Sequence, residues 1–168
     1  MTFNVYHAAR DIMHERGKLH GLADEGGFWP DFKNNEEVFT TLLEAITRAG
    51  YTPGKDIALS LDIAASEFGN NGKYKIGLEK VELDSDGLSD MLGRWLEKYP
   101  IASIEDPLAE DDEAGLKKFT SAFGDKVQIV GDDYLVTNAD RVKRAAMIGA
   151  CNAVLIKPNQ AGTITETH

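Results

Sequence analysis

The segment SIEDPLAEDD, residues 103–112, places carboxylates at the end of a stretch that otherwise has the composition of a buried strand. Glu105 and Asp106 directly follow the apolar residues Ile101 and Ile104. A solvated acidic loop is the simpler explanation of this pattern, and a metal site is the more specific one. The other strand-like segments of the chain distinguish between these alternatives.

Four short segments combine Ile, Val and Leu with almost no charge until their last residues. They are IALSLD (57–62), PIASIED (100–106), VQIVGDD (127–133) and NAVLIKP (152–158). Near-continuous apolar runs of this kind are typical of parallel strands covered on both faces. Helical patterns lie between them, and this alternation predicts an α/β fold with a parallel sheet.

Two of the helical patterns have clear ends. In NNEEVFTTLLEAITRAG (34–50) the apolar residues recur at helical spacing, and Asn34 with Glu37 three positions later predicts a capped start. SDGLSDMLGRWLEKYP (85–100) carries an apolar stripe and stops at its proline. The turn-rich GNNGKYKIG (69–77) indicates a small hairpin or an excursion from the sheet.

Composition excludes several classes of function. The 168 residues are 42% hydrophobic, and 18 basic against 28 acidic side chains give a net charge of −10. This balance argues against binding to nucleic acids or anionic membranes and is compatible with cation sites. No segment is apolar enough for a signal peptide or a membrane span. Cys151 is the single cysteine, so no disulfide forms within the chain, and we expect a cytoplasmic location.

Ionisable residues end each of the four strand-like segments. They are Asp62, then Glu105 and Asp106, then Asp132 and Asp133, then Lys157. Because the carboxyl ends of parallel strands gather on one face, we expect these side chains to converge. Carboxylate oxygens without histidine or cysteine favour Mg²⁺. Taken singly, each acid is more simply a helix cap or a solvated loop residue, but the recurrence at successive strand ends favours the metal site.

Lys157 gives this edge of the sheet a candidate base. A nearby divalent cation lowers the pKa of a lysine, because it disfavours the charged form. A neutral lysine facing a metal that stabilises a developing oxyanion is suited to removing a proton α to a carboxylate.

Five motifs carry a resemblance to a known family. They are DEGGF (24–28), LDIAASEF (61–68), YPIASIEDPLAEDD (99–112), VQIVGDDYLVTN (127–138) and LIKPNQAGTITET (155–167). In this order they resemble the successive motifs of the enolase (phosphopyruvate hydratase) family, over nearly the whole chain. The resemblance implies a partial TIM-type (β/α) barrel with parallel strands, whose C-terminal strand ends carry the site.

The resemblance also implies residue roles. Asp62, Glu105 and Asp132 match the carboxylates that hold Mg²⁺, and Lys157 matches the base that takes the α-proton of 2-phosphoglycerate. Lys157, Glu105 and Asp132 would also bind the substrate. Glu25 matches the acid that helps the β-hydroxyl leave as water. The implied activity is a Mg²⁺-dependent lyase of glycolysis, which reversibly dehydrates 2-phosphoglycerate to phosphoenolpyruvate through a metal-stabilised enediolate.

The length of the chain keeps two alternatives open. A complete barrel takes about 250 residues, so we expect residues 1–168 to be a fragment of the catalytic barrel domain, without the N-terminal domain and the last barrel strands. A full-length version is expected to be a homodimer. The chain could instead be a non-catalytic truncated fragment with at most weak cation binding. It could also be another enolase-superfamily enzyme acting on a different carboxylate, although we find no K-x-K at a strand end.

Overall fold

The computed structural model describes residues 1–168, which divide into two compact units, Met1–Ala58 and Leu59–His168. The first unit contains α1 (Thr2–Glu15), β1 (Leu19–Leu22), β2 (Phe28–Pro30) and α2 (Asn35–Arg48). The strands β1 and β2 pair in antiparallel orientation, and α1 packs against α2. The predicted start of α2 is confirmed, because the side-chain oxygen of Asn34 accepts the backbone N–H of Glu37 at 3.0 Å.

The second unit contains two sheets and five α-helices. Its elements are β3 (Leu59–Asp62), a 3₁₀ turn (Ala65–Glu67), β4 (Gly69–Asn70), β5 (Lys73–Ile76), β6 (Val81–Asp84), α3 (Ser85–Lys98), β7 (Ile101–Glu105), α4 (Glu113–Phe123), β8 (Gln128–Gly131), α5 (Ala139–Ile148), β9 (Ala153–Val154), α6 (Pro158–Ala161) and α7 (Ile164–Thr167). The predicted alternation of strands and helices is confirmed.

The parallel sheet has the strand order β3-β7-β8-β9. Asp62 is paired with Glu105 across β3 and β7, and Glu105 is paired with Val130 across β7 and β8. The fold is therefore the predicted partial barrel, with four parallel strands and no closure. Each strand is shorter than the segment that predicted it: β3 loses the first two residues of its segment, whereas β8 and β9 end before the ionisable residues that close theirs.

Large apolar side chains fill the core of the second unit. Ile104 in β7 and Ile129 in β8 are fully buried, as are Leu88 and Leu92 on the predicted apolar stripe of α3. Full burial of one such side chain stabilises a fold by about 1.5–3 kcal/mol. None of the helices combines the length and the apolar content that a membrane crossing requires.

The segment 69–77 forms a hairpin, which is one of the two alternatives that its turn-rich sequence indicated, and β6 extends it to a three-stranded antiparallel sheet. Tyr74 lies fully buried in it. Its hydroxyl donates to the Asp112 carboxylate at 2.8 Å and accepts the backbone N–H of Ala109 at 3.1 Å. A Cβ on Gly69 would lie 2.3 Å from the Tyr74 ring, so glycine is required there. These contacts tie the small sheet to the loop that follows β7.

We expect Tyr74→Phe to lower the free energy of unfolding by about 1–3 kcal/mol, because the N–H of Ala109 would lose its acceptor in a buried place. Tyr6→Phe is the matched control, since the Tyr6 hydroxyl donates to the Gly26 carbonyl from a side chain that is 38% exposed. Its effect should stay within about 0.5 kcal/mol. Urea denaturation measures both values, and equal losses would contradict the role given to Tyr74.

Candidate functional site

Four of the predicted site residues lie at the carboxyl ends of neighbouring parallel strands. Asp62 and Glu105 are the last residues of β3 and β7, Asp132 directly follows β8, and Lys157 lies three residues beyond β9. The parallel register places Asp62 opposite Glu105, and Lys157 forms an ion pair with Asp132. The structure thus brings together residues that are up to 95 positions apart in the chain.

Glu25 lies in the first unit, in the turn between β1 and β2. The turn is closed by a hydrogen bond from the backbone N–H of Ala23 to the carbonyl of Gly27, at 2.8 Å. The Glu25 side chain is exposed. A short strand, β1, precedes Glu25, but it belongs to an antiparallel pair and not to the parallel sheet.

Asp106 connects the ends of β7 and β8. Asp106 is 3% exposed, and its carboxylate accepts the backbone N–H of Asp132 at 3.0 Å and that of Asp133 at 2.7 Å. Its own N–H donates to the carbonyl of Val130 at 2.9 Å. Burial raises the pKa of the Asp106 carboxyl group, and the two donated hydrogen bonds oppose this rise. Sequence reasoning noted Asp106 as an acid at a strand end but missed this role.

Asp132 is held on both carboxylate oxygens. The residue is 6% exposed, its Oδ2 contacts Lys157 Nζ, and its Oδ1 accepts a hydrogen bond from Gln160 Nε2 at 3.3 Å. The hydrogen bond with Asp132 raises the pKa of Lys157 above its ordinary value. Gln160 was missed by sequence reasoning, although it lies in the motif LIKPNQAGTITET together with Lys157.

The remaining carboxylates repel one another. Burial raises the pKa of Glu105 to about 7, with further contributions from the negative charges of Asp62, Asp132 and Asp106. Burial likewise raises the pKa of Asp62, where Asp132 and Asp133 add to the effect and a hydrogen bond from the Ala64 N–H opposes it. A cation placed among these groups would relieve the repulsion.

One group of carboxylates that could hold a metal ion differs from the predicted metal ligands. Asp106, Asp132 and Asp133 each offer one oxygen within 4.8 Å of the others, and these residues could hold a metal ion. The predicted set shares only Asp132 with this group. Both sets contain hard oxygen donors alone, which suits Mg²⁺ rather than zinc or copper. The donor chemistry of the site therefore fits the predicted metal.

Comparison with known proteins gives the family of the chain. A sequence model described as "Enolase, C-terminal TIM barrel domain" matches residues 1–168. A curated relative named "Enolase 1", from Methylococcus capsulatus, is 48% identical over 164 residues. The alignment covers 97% of this chain and 39% of that relative.

We expect Asp106→Asn to lower the free energy of unfolding by about 1–3 kcal/mol, because an amide nitrogen cannot accept one of the two backbone N–H groups. Asp133→Asn is the control, since it changes a carboxylate in the same turn and keeps the N–H that Asp106 accepts. Chemical denaturation without added metal compares the two. A loss in Asp133→Asn as large as that in Asp106→Asn would contradict the connecting role of Asp106.

Proposed function

This chain belongs to the enolase family, through its match to the C-terminal TIM-barrel domain, and we propose that it carries the residues for reversible dehydration of 2-phosphoglycerate to phosphoenolpyruvate. The convergence of Asp62, Glu105, Asp132 and Lys157 at one edge of the parallel sheet is the observation that supports this. The chain spans 39% of the length of a curated relative, so the activity of a whole enolase is part of the proposal. The proposal also includes a homodimer for the full-length protein and a cytoplasmic location.

In this proposal Asp62, Glu105 and Asp132 hold Mg²⁺. Bound Mg²⁺ would lower the energy of the negative charge that develops on the substrate when its α-proton leaves. We assign Asp106 to positioning, because each of its carboxylate oxygens already accepts a backbone N–H and the residue is 3% exposed. Its hydrogen bonds fix the backbone of the ligand Asp132.

Lys157 takes the α-proton at Nζ, which requires a neutral amine. The ion pair with Asp132 stabilises the ammonium form and raises the pKa of Lys157. A divalent cation bound at Asp132 would weaken this stabilisation and lower the pKa of Lys157, because it would disfavour a second positive charge nearby. The lowered pKa of Lys157 that the sequence predicted therefore depends on a bound metal ion. Glu25 is proposed as the acid that protonates the leaving hydroxyl, on the family resemblance alone.

Two other functions are weighed against this one. The observation behind a non-catalytic chain is the four-stranded sheet without barrel closure. Another reaction of the enolase superfamily, on a different carboxylate, is disfavoured. The K-x-K pair Lys73 and Lys75 lies in the antiparallel strand β5, not at the end of a parallel strand.

Calorimetric titration with Mg²⁺ distinguishes the two sets of carboxylates. We expect binding by the chain, loss of binding in Asp62→Asn and Glu105→Gln, and retention in Asp133→Asn. Mg²⁺ at 100 times its dissociation constant should add about 2.7 kcal/mol to the free energy of unfolding. Loss of binding in Asp133→Asn with retention in Asp62→Asn would instead assign the ion to the group Asp106, Asp132 and Asp133.

Exchange of the α-proton of 2-phosphoglycerate with deuterated water, followed by NMR, tests the base. Removal of a general base costs about 10²–10⁴-fold in rate, so we expect Lys157→Ala to lose exchange by at least the smaller factor. Lys143→Ala is the control, since the Lys143 side chain is 76% exposed in a surface pair with Asp140. No exchange by the unsubstituted chain, with Mg²⁺ binding intact, would favour the non-catalytic alternative.

A further inference from the structure

We propose that Thr137 is a positioning residue for Lys157, with its hydroxyl fixing the backbone from which the lysine side chain extends. The significance of this role rests on the proposed function, in which Lys157 is the base. The contact itself joins two segments that are 20 positions apart, because the Thr137 hydroxyl accepts the backbone N–H of Lys157 at 2.9 Å.

The backbone at Thr137 is held in an unfavourable conformation. Val136 and Thr137 have φ angles of 43° and 53°, which place two consecutive β-branched residues in the left-handed region. Such conformations are rare for β-branched side chains and persist only where surrounding contacts enforce them. The turn is enforced on both sides, by the Val136 N–H donating to the Asp132 carbonyl at 2.7 Å and by Asn138 capping α5.

This conformation places the Thr137 hydroxyl inside a polar network. The residue is 5% exposed, and its oxygen lies 3.2 Å from Gln160 Oε1 and 3.4 Å from the Leu155 carbonyl. The hydroxyl can donate to either oxygen while it accepts from Lys157. Gln160 in turn donates through Nε2 to Asp132 Oδ1. A single hydroxyl is thus connected to both partners of the ion pair between Lys157 and Asp132.

Lys157 needs this contact because the sheet does not reach it. The strand β9 ends at Val154, and the next backbone hydrogen bond to the sheet runs from the Leu155 N–H to the Gly131 carbonyl at 3.1 Å. Ile156 is 52% exposed. The N–H of Lys157 then donates to Thr137. The Thr137 hydroxyl is therefore the acceptor for the Lys157 N–H, in the place of the carbonyl group that a neighbouring strand would offer inside a sheet.

Four variants of the whole chain test the proposal. Thr137→Val removes the hydroxyl and keeps the shape, and Thr137→Ser restores the hydroxyl. Thr137→Gly removes the hydroxyl and accepts the left-handed φ without strain, so it keeps the test valid if the valine variant fails to fold. Thr120→Val is the matched control, because the half-buried Thr120 also donates to a carbonyl from another segment, that of Ala150 at 2.8 Å.

The first readout is hydrogen exchange of the Lys157 backbone amide, measured by NMR. We expect exchange to accelerate about tenfold or more in Thr137→Val and Thr137→Gly, with the rates in Thr137→Ser and Thr120→Val close to that of the unsubstituted chain. The second readout is acylation of Lys157 Nζ by an amine-reactive acylating reagent, followed by mass spectrometry. Its rate should rise in the same two variants, because a displaced backbone loosens the ion pair with Asp132.

Unchanged exchange and acylation in Thr137→Gly would overturn the proposal, as would an equal change in Thr120→Val. Neither readout requires Mg²⁺ or turnover. If the proposed function is wrong, the Mg²⁺ titration and the α-proton exchange will fail, but the amide exchange and the acylation will still respond to Thr137. The failure of the proposed function and the failure of the Thr137 proposal are therefore distinguishable.

Discussion

Parallel pairing of β3, β7, β8 and β9 is the constraint on which the candidate site depends. Strands that run in one direction bring their carboxyl ends to one edge, so residues far apart in sequence become neighbours. The register is equally important, because a shift of one residue would turn Glu105 to the opposite face of the sheet. Ile104 and Ile129, both fully buried, hold that register by filling the other face. The core therefore decides which side chains meet at the site.

The same convergence creates an electrostatic cost, which the structure offsets in two ways. Backbone N–H groups stabilise the Asp106 carboxylate, and Lys157 with Gln160 stabilises that of Asp132. For Glu105 the attraction of Lys157 is too weak to offset burial and the charges of the neighbouring acids, and the pKa of Glu105 rises to about 7. The negative charge is thus neither dispersed nor fully neutralised by the protein. Such an arrangement is suited to a divalent cation.

Sequence predicted the framework of the site better than its details. The parallel strands followed from apolar runs, and the start of α2 followed from Asn34, because both depend on local patterns. The roles of Asp106 and Thr137 could not be predicted, since each depends on a left-handed φ and on a backbone N–H at least 20 positions away. Adjacent acids such as Glu105 and Asp106 look equivalent in a sequence. Only the backbone conformation shows that one lies at the strand end and the other turns inward.

Asp132 contacts Lys157 and is also a proposed metal ligand, so a divalent cation bound there would repel the nearby ammonium group of Lys157. Oδ2 contacts Lys157, whereas Oδ1 is held by Gln160. Displacement of the lysine side chain from Oδ2 would leave its backbone in place, because the Thr137 hydroxyl holds the Lys157 N–H independently of the side chain. The ammonium group could then leave Asp132 while its point of attachment remains fixed. Separate anchoring of backbone and side chain thus allows Lys157 to change partner without losing its position at the strand edge.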